Sequence, residues 1–342
     1  MIQLLLNIAG AAAAELPATH LTVMGSLAGT AQYRDLEEPF WTRQLAADSG
    51  GQVTAEVTPF DRTGLRGAEA LQMTRLGVIS FLTVPLSLIS SEDPEANAPD
   101  LPGLNPTIET VKANLAAYRP ILVDIYRTRY HLETLAMVSY PAQVVFCRDA
   151  FGRLSDLAGR SVRVASGAQA TLLTALGATA VVLPFADMKA ALKNRTLDCA
   201  ITGTLTGNSI GMPEVTHYVH ALAINWGVQI VLANRAAWLA LDPAVRDFLA
   251  KELADLERRV WDHAAAATTE GLACDTGRGE CRSGVRSDMV LVEAAPADRT
   301  LLDRILRDVI LPKWAARCGE ECAAGWNSTV GARMGLIAET AQ

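Results

Sequence analysis

Aromatic residues are scarce in this sequence, and long hydrophobic or basic runs are missing. Phe, Trp and Tyr make up 6% of the 342 residues while hydrophobic residues make up 50%, so aliphatic and alanine side chains must fill the core. The net charge is −7 and Lys and Arg form no stripe, which argues against nucleic acid as a partner. Beyond the N-terminus no segment is apolar over the ~20 residues that a membrane span needs. The length suits two globular domains.

Signatures of common catalytic sites are absent as well. The motifs H-E-x-x-H, G-x-S-x-G, G-x-x-x-x-G-K-[ST] and G-x-G-x-x-G do not occur. His217 and His220 are spaced to share a helix face, but no third metal ligand follows at a matching spacing. The sequence therefore predicts no metal, no cofactor and no enzyme. A catalytic alternative would require His217, His220 and an aspartate to converge.

The first residues are typical of an export signal. Ile2 to Ala14 are apolar and end in small residues, and the stretch is too short to cross a bilayer. We predict that residues 1–19 are the remnant of a signal peptide and that the mature protein works in the periplasm. A buried N-terminal helix is the alternative, because no Lys or Arg precedes the apolar run.

Six cysteines are consistent with an exported protein. Four of them crowd the last quarter of the chain: Cys274, Cys281, Cys318 and Cys322. Their close spacing within CDTGRGEC and CGEEC predicts two local disulfides, and it fits a four-cysteine zinc site poorly. Cys147 and Cys199 each lie in an apolar, strand-like run, and we expect them to be buried free thiols.

Strand-like and helix-like segments alternate twice along the chain. Residues 21–84 read as β-α-β-α-β, and residues 143–202 repeat this design after a Pro-rich, acidic loop. This alternation predicts parallel sheets covered by helices, so the fold class is α/β. The strand Trp226–Asn234 is expected to return to the first unit. Asp242 and Pro243 then cap a long amphipathic helix that extends to about Thr269.

Two similar units joined by more than one crossing predict a bilobal protein with a cleft between the lobes. We assign residues 20–141 and 228–260 to lobe I. Residues 142–227 and 261–342, with the C-terminal disulfide region, are assigned to lobe II.

Arg163 is the residue whose chemistry points most directly to a ligand. It lies in SVRVA, a strand otherwise made of small and β-branched residues. An unpaired buried charge costs several kcal/mol, so a guanidinium there needs an anionic partner, and its planar fork suits a carboxylate. Ligand crevices in parallel α/β sheets lie at the carboxyl ends of strands. From the residues alone, a ligand carboxylate and an Asp or Glu of the same lobe are equal alternatives.

The order of several motifs carries a family resemblance. Residues 154–176 contain D-L-x-G-x-x-x-R-V, and residues 181–202 (VVLPFADMKAALKNRTLDCAIT) contain a Pro-aromatic pair, a short helix and an Asp. Residues 40–57, 234–249 and 326–335 are similar to an opening, a hinge-helix and a closing segment of the same group. In this order, the segments resemble the solute-binding proteins of tripartite ATP-independent periplasmic (TRAP) transporters, of the dicarboxylate-binding type.

This resemblance implies a periplasmic-binding-protein-like fold whose long helix spans both lobes, and a membrane transporter as partner. Arg163 matches the family's strand arginine, which forms a salt bridge with the substrate carboxylate. Gln143 stands where some members carry a second cation, and Cys199 stands where the family often has glycine. Ile201 and Thr202 stand where many members carry an acidic or amide residue. These departures argue against a sialic-acid-like or C4-dicarboxylate ligand.

Further ligand-contacting candidates follow from position. They are polar or aromatic residues at or near strand ends: Gln143, Thr202, Thr204, Asn208, Asn225, Trp226, Tyr33 and Phe81. Polar loops explain the Thr and Asn residues equally well, and core packing explains the aromatic ones. The expected function is capture of a small organic acid for a TRAP permease. A ligand-sensing domain of a regulator is a second alternative, but the short apolar N-terminus cannot supply its helix-turn-helix arm.

Overall fold

The computed structural model describes residues 16–340 and contains two β-sheets. The strands are β1 Thr19–Gly25, β2 Val53–Pro59, β3 Phe81–Pro85, β4 Leu132–Ser139, β5 Gln143–Cys147, β6 Ser161–Val164, β7 Thr179–Val182, β8 Cys199–Gly203, β9 Tyr218–His220, β10 Val228–Asn234 and β11 Val290–Val292. The first sheet has the order β2-β1-β3-β10-β4, and the second has the order β11-β9-β5-β8-β6-β7.

Helices cover both sheets. They are α1 Leu45–Asp48, α2 Gly67–Arg75, α3 Ile108–Thr128, α4 Gly167–Ala175, α5 Met188–Lys193, α6 Thr204–Ser209, α7 Arg235–Ala240, α8 Pro243–Thr276, α9 Pro296–Ile305, α10 Leu311–Cys318, α11 Glu320–Trp326 and α12 Ala332–Met334. Wider π turns at Tyr33–Glu37 and Phe40–Gln44 precede α1. None of the helices within residues 16–340 is both long and apolar enough to cross a membrane.

The predicted parallel pairing is present in both sheets. β1 pairs in parallel with β2 and β3, and β6 pairs in parallel with β7 and β8. β10 returns to the first sheet as expected and lies antiparallel to β3 and β4. β4 itself has no counterpart in the sequence-based prediction. Its segment LETLAMVS is rich in residues that favour helices, and pairing with β10 makes it a strand.

The chain passes between the sheets at residues 140–142, at residues 221–227 and along α8. Asp242 caps α8 as predicted, because its carboxylate accepts a hydrogen bond from the N–H of Ala244 at 2.8 Å. The first half of α8 packs against the first sheet, and its later turns pack against α6. The helix continues past Thr269 and ends only where Gly277 adopts a left-handed conformation, with φ 67°.

Gly271 explains why α8 passes so close to α6. A Cβ at this position would lie 2.1 Å from the backbone N of Leu205 and 2.5 Å from the carbonyl C of Thr204. The backbone of one helix therefore occupies the space that a side chain on the other would need.

We expect Gly271→Ala to lower the free energy of unfolding by about 1–3 kcal/mol, because the α6 backbone must move away. The better helix propensity of alanine offsets about 1 kcal/mol at most. Urea denaturation followed by circular dichroism measures the change. Gly325→Ala is the matched control, since its Cβ would meet only the end of the Ile121 side chain at 3.2 Å. Equal midpoints for Gly271→Ala and the wild type would contradict the prediction.

All six cysteines form disulfides. The predicted pairs Cys274–Cys281 and Cys318–Cys322 are both present. The prediction that Cys147 and Cys199 are free thiols is wrong. These two residues face each other in the register of the antiparallel strands β5 and β8, with Cα atoms 4.1 Å apart, and they form the third disulfide. Their 52-residue separation concealed the pairing, which only the strand register creates.

The C-terminal helices contact both halves of the molecule. The indole N–H groups of Trp314 and Trp326 donate to the carbonyls of Pro94 and Ala98, each at 2.8 Å, so this region packs on the chain that follows β3. Residues 306–310 pack against α4 beside the second sheet. At the other terminus, the predicted signal-peptide stretch 2–14 lies outside the described residues, and Thr19 is already part of β1.

Candidate functional site

Arg163 is buried without an acidic partner. It lies on β6 with 4% of its surface exposed. Its Nε donates to the carbonyl of Leu183 at 2.9 Å, and its Nη1 donates to the carbonyl of Ile201 at 3.1 Å. Within residues 16–340 no Asp or Glu forms an ion pair with it, and burial is the cause that lowers its pKa to about 10. The internal counter-ion that would have removed Arg163 from consideration is therefore missing from the described chain.

The two backbone carbonyls hold the guanidinium by one edge. They belong to the segment after β7 and to β8, which are the neighbours of β6 in the sheet. A guanidinium carries five N–H groups, and Nη2 of Arg163 donates no hydrogen bond to any group within residues 16–340. Neutral carbonyls orient the group without cancelling its charge. The arrangement can therefore accept a bidentate anion.

The two sheets meet near this arginine. A Cβ placed on Gly29, in the loop after β1, would lie 2.9 Å from the Phe185 ring and 3.4 Å from Ile210. Phe185 follows Leu183, which receives the Arg163 hydrogen bond. The loop at the carboxyl end of β1 thus closes over the carboxyl-end side of the second sheet. This is the location that open α/β sheets use for ligands.

Polar groups on the β1 side of this junction were missed by the sequence-based prediction. Glu37 is 3% exposed, and its Oε1 accepts the backbone N–H of Ser26 at 3.1 Å. The Ser26 hydroxyl bonds to the Tyr140 hydroxyl at 2.6 Å and to Gln229 Oε1 at 2.7 Å. Burial raises the pKa of Glu37 to about 7, even though the Ser26 N–H and the Thr83 hydroxyl oppose the rise. The charged stretch RDLEE around Glu37 gives no local sign of such burial.

Tyr33 and Thr202, both candidates from the sequence, are buried at or next to strands of the two sheets. Tyr33 is buried and its hydroxyl has no hydrogen-bond partner among the described residues. Burial, followed by the nearby Glu37, raises its pKa well above the usual range, so it stays protonated. Thr202 is buried on β8 one residue beyond Ile201, whose carbonyl holds Arg163. Thr202 therefore lies on the strand next to the arginine.

Gln143 stands where some family members carry a second cation, but in this structure it links two backbone segments. Its amide nitrogen donates to the carbonyl of Pro141 at 2.9 Å and to that of Trp226 at 3.4 Å. Both carbonyls belong to the segments that cross between the sheets. Gln143 thus joins the two crossings through its amide nitrogen.

Two other candidates, Thr204 and Asn208, direct their polar atoms toward the protein itself. The Thr204 hydroxyl donates to the carbonyl of Ala267 in α8 at 3.0 Å. Asn208 donates to Asp275 at 2.9 Å and exchanges hydrogen bonds with the backbone of Val285. These contacts fasten α6 and the loop around 285 to α8. They favour a structural role for Thr204 and Asn208.

Asn225 also makes internal contacts at the second crossing. Its Oδ1 accepts from Gln169 at 2.9 Å, and its Nδ2 donates to Asp100 at 3.1 Å. Gln169 in turn accepts the N–H of Ala165, two residues beyond Arg163, at 2.8 Å. A hydrogen-bonded chain thus runs from Asp100 to the end of β6. Sequence reasoning missed Asp100, whose Pro-rich surroundings indicated a loop.

The two remaining aromatic candidates belong to the core. Trp226 is buried and its indole N–H donates to the carbonyl of Asn105 at 3.0 Å. Phe81 packs between Trp41 and Trp238, with ring centroids 6.2 Å and 6.4 Å away. Both rings therefore serve packing of the protein interior.

The two histidines of the catalytic alternative, His217 and His220, differ in burial and surroundings within residues 16–340. His217 and His220 lie on and beside β9, so they share no helix face. His220 is buried and its Nε2 lies 3.3 Å from Asp298, whereas His217 is exposed. Glu95, Cys318 and Cys322 place potential metal-ligand atoms within 4.8 Å of one another, but both sulfurs belong to a disulfide.

A sequence model of the bacterial extracellular solute-binding protein family 7 (DctP) matches residues 26–273. The protein belongs to this family. Its members are extracytoplasmic transport receptors, in agreement with the resemblance to TRAP solute-binding proteins and with the transport role expected from the motifs. A comparison with curated proteins finds no match.

Solved structures support the two-lobe α/β fold of this solute-binding protein. DctP7 of Bordetella pertussis, an extracytoplasmic solute receptor binding pyroglutamic acid, is 20% identical with a TM-score of 0.80, covering 91% of this chain and 99% of that one. A TRAP periplasmic solute-binding protein from Desulfovibrio salexigens with bound orotic acid is 16% identical with a TM-score of 0.79, covering 92% and 99%. One from Rhodoferax ferrireducens with bound malonate is 19% identical with a TM-score of 0.79, covering 92% and 98%. The predicted fold class is confirmed.

Proposed function

We propose that this solute-binding protein captures an organic acid by a salt bridge between the ligand carboxylate and Arg163, and delivers it in the periplasm to the membrane subunits of a TRAP transporter. The observation that carries the proposal is the buried guanidinium, which two neutral carbonyls orient and no described acid neutralises. A buried charge without a counter-ion is unfavourable by several kcal/mol, and an incoming carboxylate relieves that cost.

The binding cycle that we propose uses the two sheets as lobes. Residues 20–141 and 228–260 form lobe I, and residues 142–227 and 261–342 form lobe II. Arg163 on lobe II draws in the carboxylate, and the loop after β1 then closes against Phe185 and removes the ligand from water. The transporter recognises the closed form. Thr202, Tyr33 and Gln143 are the neighbouring groups that we assign to the ligand.

The ligands of the three similar structures support the same chemical class. Pyroglutamic acid, orotic acid and malonate differ in shape, yet each carries a carboxyl group. A shared strand arginine with variable surroundings accounts for such variety, because the carboxylate clamp is common and the polar groups around the other end differ. We therefore propose a carboxylate ligand for this chain as well.

Thermal-shift screening of a panel of organic acids tests the proposal. At a hundredfold excess over Kd, a bound acid is expected to stabilise the folded protein by about 2.7 kcal/mol. Arg163→Ala is expected to weaken binding of every such acid at least a hundredfold in isothermal titration calorimetry, because it removes the buried charge partner.

Arg160→Ala is the matched control. This arginine precedes the same strand, but its guanidinium donates to the surface carbonyls of Asp149 and Ala150. Its loss is expected to leave the affinities unchanged. A wild-type protein that responds to no carboxylate, or an Arg163→Ala variant that binds like the wild type, would overturn the proposal. Uptake of the identified acid by vesicles that carry the cognate permease, with and without this protein, tests delivery.

A further inference from the structure

A cluster of buried polar atoms without partners lies at the carboxyl end of β1, where the loop that follows the strand contacts Phe185, two residues beyond the Leu183 carbonyl that holds Arg163. Within residues 16–340 these atoms have no hydrogen-bond partner: Gln32 Nε2 and Oε1, Tyr33 Oη, Glu37 Oε2 and Thr83 Oγ1. Each of the four residues is at least nine-tenths buried. Buried polar groups in folded proteins are nearly always paired, so several unpaired ones in one place indicate where a ligand's polar groups belong.

Two of these residues converge on one glycine. A Cβ placed on Gly25, the last residue of β1, would lie 2.8 Å from Cε2 of Tyr33 and 3.3 Å from Oε1 of Glu37. The register of β1 and β3 pairs Met24 with Leu82, so Thr83 comes next to Gly25. The Tyr33–Glu37 π turn therefore places a phenol and a carboxyl group at the end of β1, beside a threonine hydroxyl.

The carboxyl group of Glu37 is only half used by the protein. Oε1 accepts the N–H of Ser26, which holds the side chain in place, while Oε2 accepts no hydrogen bond of normal geometry from the described residues, although the nearby Thr83 hydroxyl opposes the rise of the carboxyl pKa. No Lys or Arg forms an ion pair with Glu37 in residues 16–340. A carboxylate oxygen in this setting accepts hydrogen bonds and repels a second anion.

The two sides of the proposed cleft therefore differ in charge and in hydrogen-bonding groups. The side of the proposed cleft that carries Arg163 supplies a cation with free N–H groups. The side that carries Glu37 supplies an acceptor with the Tyr33 hydroxyl beside it. We infer that Glu37 is a specificity-determining residue that selects monocarboxylates bearing an O–H or N–H donor, such as hydroxy acids, amides and lactams, and rejects dicarboxylates. This inference rests on the proposed function, because it assumes that Arg163 holds the first carboxylate.

The selection works through pairing and repulsion together. An O–H or N–H donor that the ligand carries near its carboxylate satisfies Oε2, and a neighbouring acceptor on the ligand receives the Tyr33 hydroxyl. A second carboxylate at the same place would face Oε2 in a water-poor site, where like charges are strongly unfavourable. An acid without such a donor would leave Oε2 unpaired, and sites built for a hydrogen bond reject such analogues strongly.

Isothermal titration calorimetry at pH 8, above the pKa of about 7, tests this inference. The probes are pyroglutamate, N-methylpyroglutamate, lactate, malonate and succinate. For the wild type we expect the tightest ligand to be a donor-bearing monocarboxylate, and malonate and succinate to bind at least tenfold more weakly. For Glu37→Gln we expect at least a tenfold loss for that best ligand and no loss, or a gain, for the dicarboxylates. The glutamine keeps the size of the side chain and removes the charge.

Three variants make the outcome interpretable. Thr83→Val keeps the shape of the side chain and removes its unpartnered hydroxyl. It therefore tests the same cluster if Glu37→Gln does not fold. Asp93→Asn alters another buried carboxyl group, which lies beside Arg129 at the end of α3, and is expected to leave the ligand order unchanged. Arg163→Ala is expected to lose every acid in the panel.

The inference and the proposed function fail in different ways. If malonate or succinate is the tightest ligand of the wild type, or if Glu37→Gln and Thr83→Val bind the best monocarboxylate as the wild type does, the role of Glu37 is overturned while the Arg163 clamp stands. If no carboxylate binds, or if Arg163→Ala binds normally, the proposed function fails first.

Discussion

Asp100→Ala is expected to lower the free energy of unfolding by on the order of 3 kcal/mol at pH 7, because it leaves several buried donors without an acceptor. The carboxylate is buried and accepts hydrogen bonds from the side chains of Asn105 and Asn225 at 3.1 Å each. It also accepts the backbone N–H groups of Trp226 at 3.1 Å and Gly227 at 2.6 Å. Each orphaned donor costs about 1–3 kcal/mol, and partial rehydration limits the sum.

The same substitution is expected to weaken acid binding several-fold, although Asp100 is not assigned to the ligand. Asp100 holds Asn225, Asn225 holds Gln169, and Gln169 holds the N–H of Ala165 at the end of β6. Without the Asp100 carboxylate, Asn225 and Gln169 are held less firmly. The end of β6, which carries Arg163, then becomes less well ordered. Calorimetry with an acid identified in the screen measures this loss.

The raised pKa of Asp100 makes the stability loss of the Asp100→Ala variant depend on pH. Burial raises its pKa to about 6, in spite of the four surrounding donors. A carboxyl group whose folded pKa exceeds its unfolded value of ~3.8 binds its proton more tightly in the folded protein, so its contribution to stability falls as pH rises from about 4 through 6. The difference in unfolding free energy between wild type and Asp100→Ala is therefore expected to be larger at pH 4.5 than at pH 7.5.

Urea denaturation at these two pH values checks both statements. Asp100→Asn is the matched variant, because it keeps the size of the side chain while its NH₂ group faces N–H donors. An intermediate loss is expected for it. An Asp100→Ala midpoint equal to that of the wild type would show that the four hydrogen bonds contribute nothing net.

The double variant Cys147→Ala/Cys199→Ala is expected to lose about 4 kcal/mol of stability. The disulfide closes a loop between residues 52 apart in sequence, and the loss of unfolded-chain entropy grows with loop length. It also joins β5 to β8 at the centre of the second sheet, next to the strand that carries Arg163. We expect the variant to fold, since both strands keep their backbone pairing.

Cys318→Ala/Cys322→Ala is the control for loop length. Its sequence separation is 4, so the same relation gives about 2 kcal/mol. Chemical denaturation of the wild type and both variants, with and without a reductant, measures the two losses. Equal losses for the long and the short loop would contradict the entropic explanation.

Local patterns in the sequence predicted much of the fold. Alternating strand and helix segments predicted the parallel cores of both sheets, and the Asp242–Pro243 pair predicted the start of α8. Those features depend on hydrophobic period and on capping, which neighbouring residues determine. β4 was missed because Leu, Glu, Ala and Met favour helices locally, and only the pairing with β10 makes the segment a strand.

The candidate site was predictable only in part. Arg163 stood out because an arginine among β-branched residues is anomalous in its own strand, and its isolation from acids agrees with that reasoning. Asn208 and Trp226 were ligand candidates by position as well, yet Asp275 and the Asn105 carbonyl occupy their polar atoms. Which polar atoms are already paired depends on residues far away in the chain.

Analysis of the sequence was sufficient to predict the α/β class, the family, the two local disulfides and the unusual arginine on β6. These properties are encoded in short segments, where composition and spacing limit the alternatives. The Cys147–Cys199 disulfide, the Asp100 network and the unpaired Glu37 oxygen became visible only in the three-dimensional structure. Each of these joins residues from separate strands or crossings, so it exists only once the sheets have paired and the chain has crossed between them.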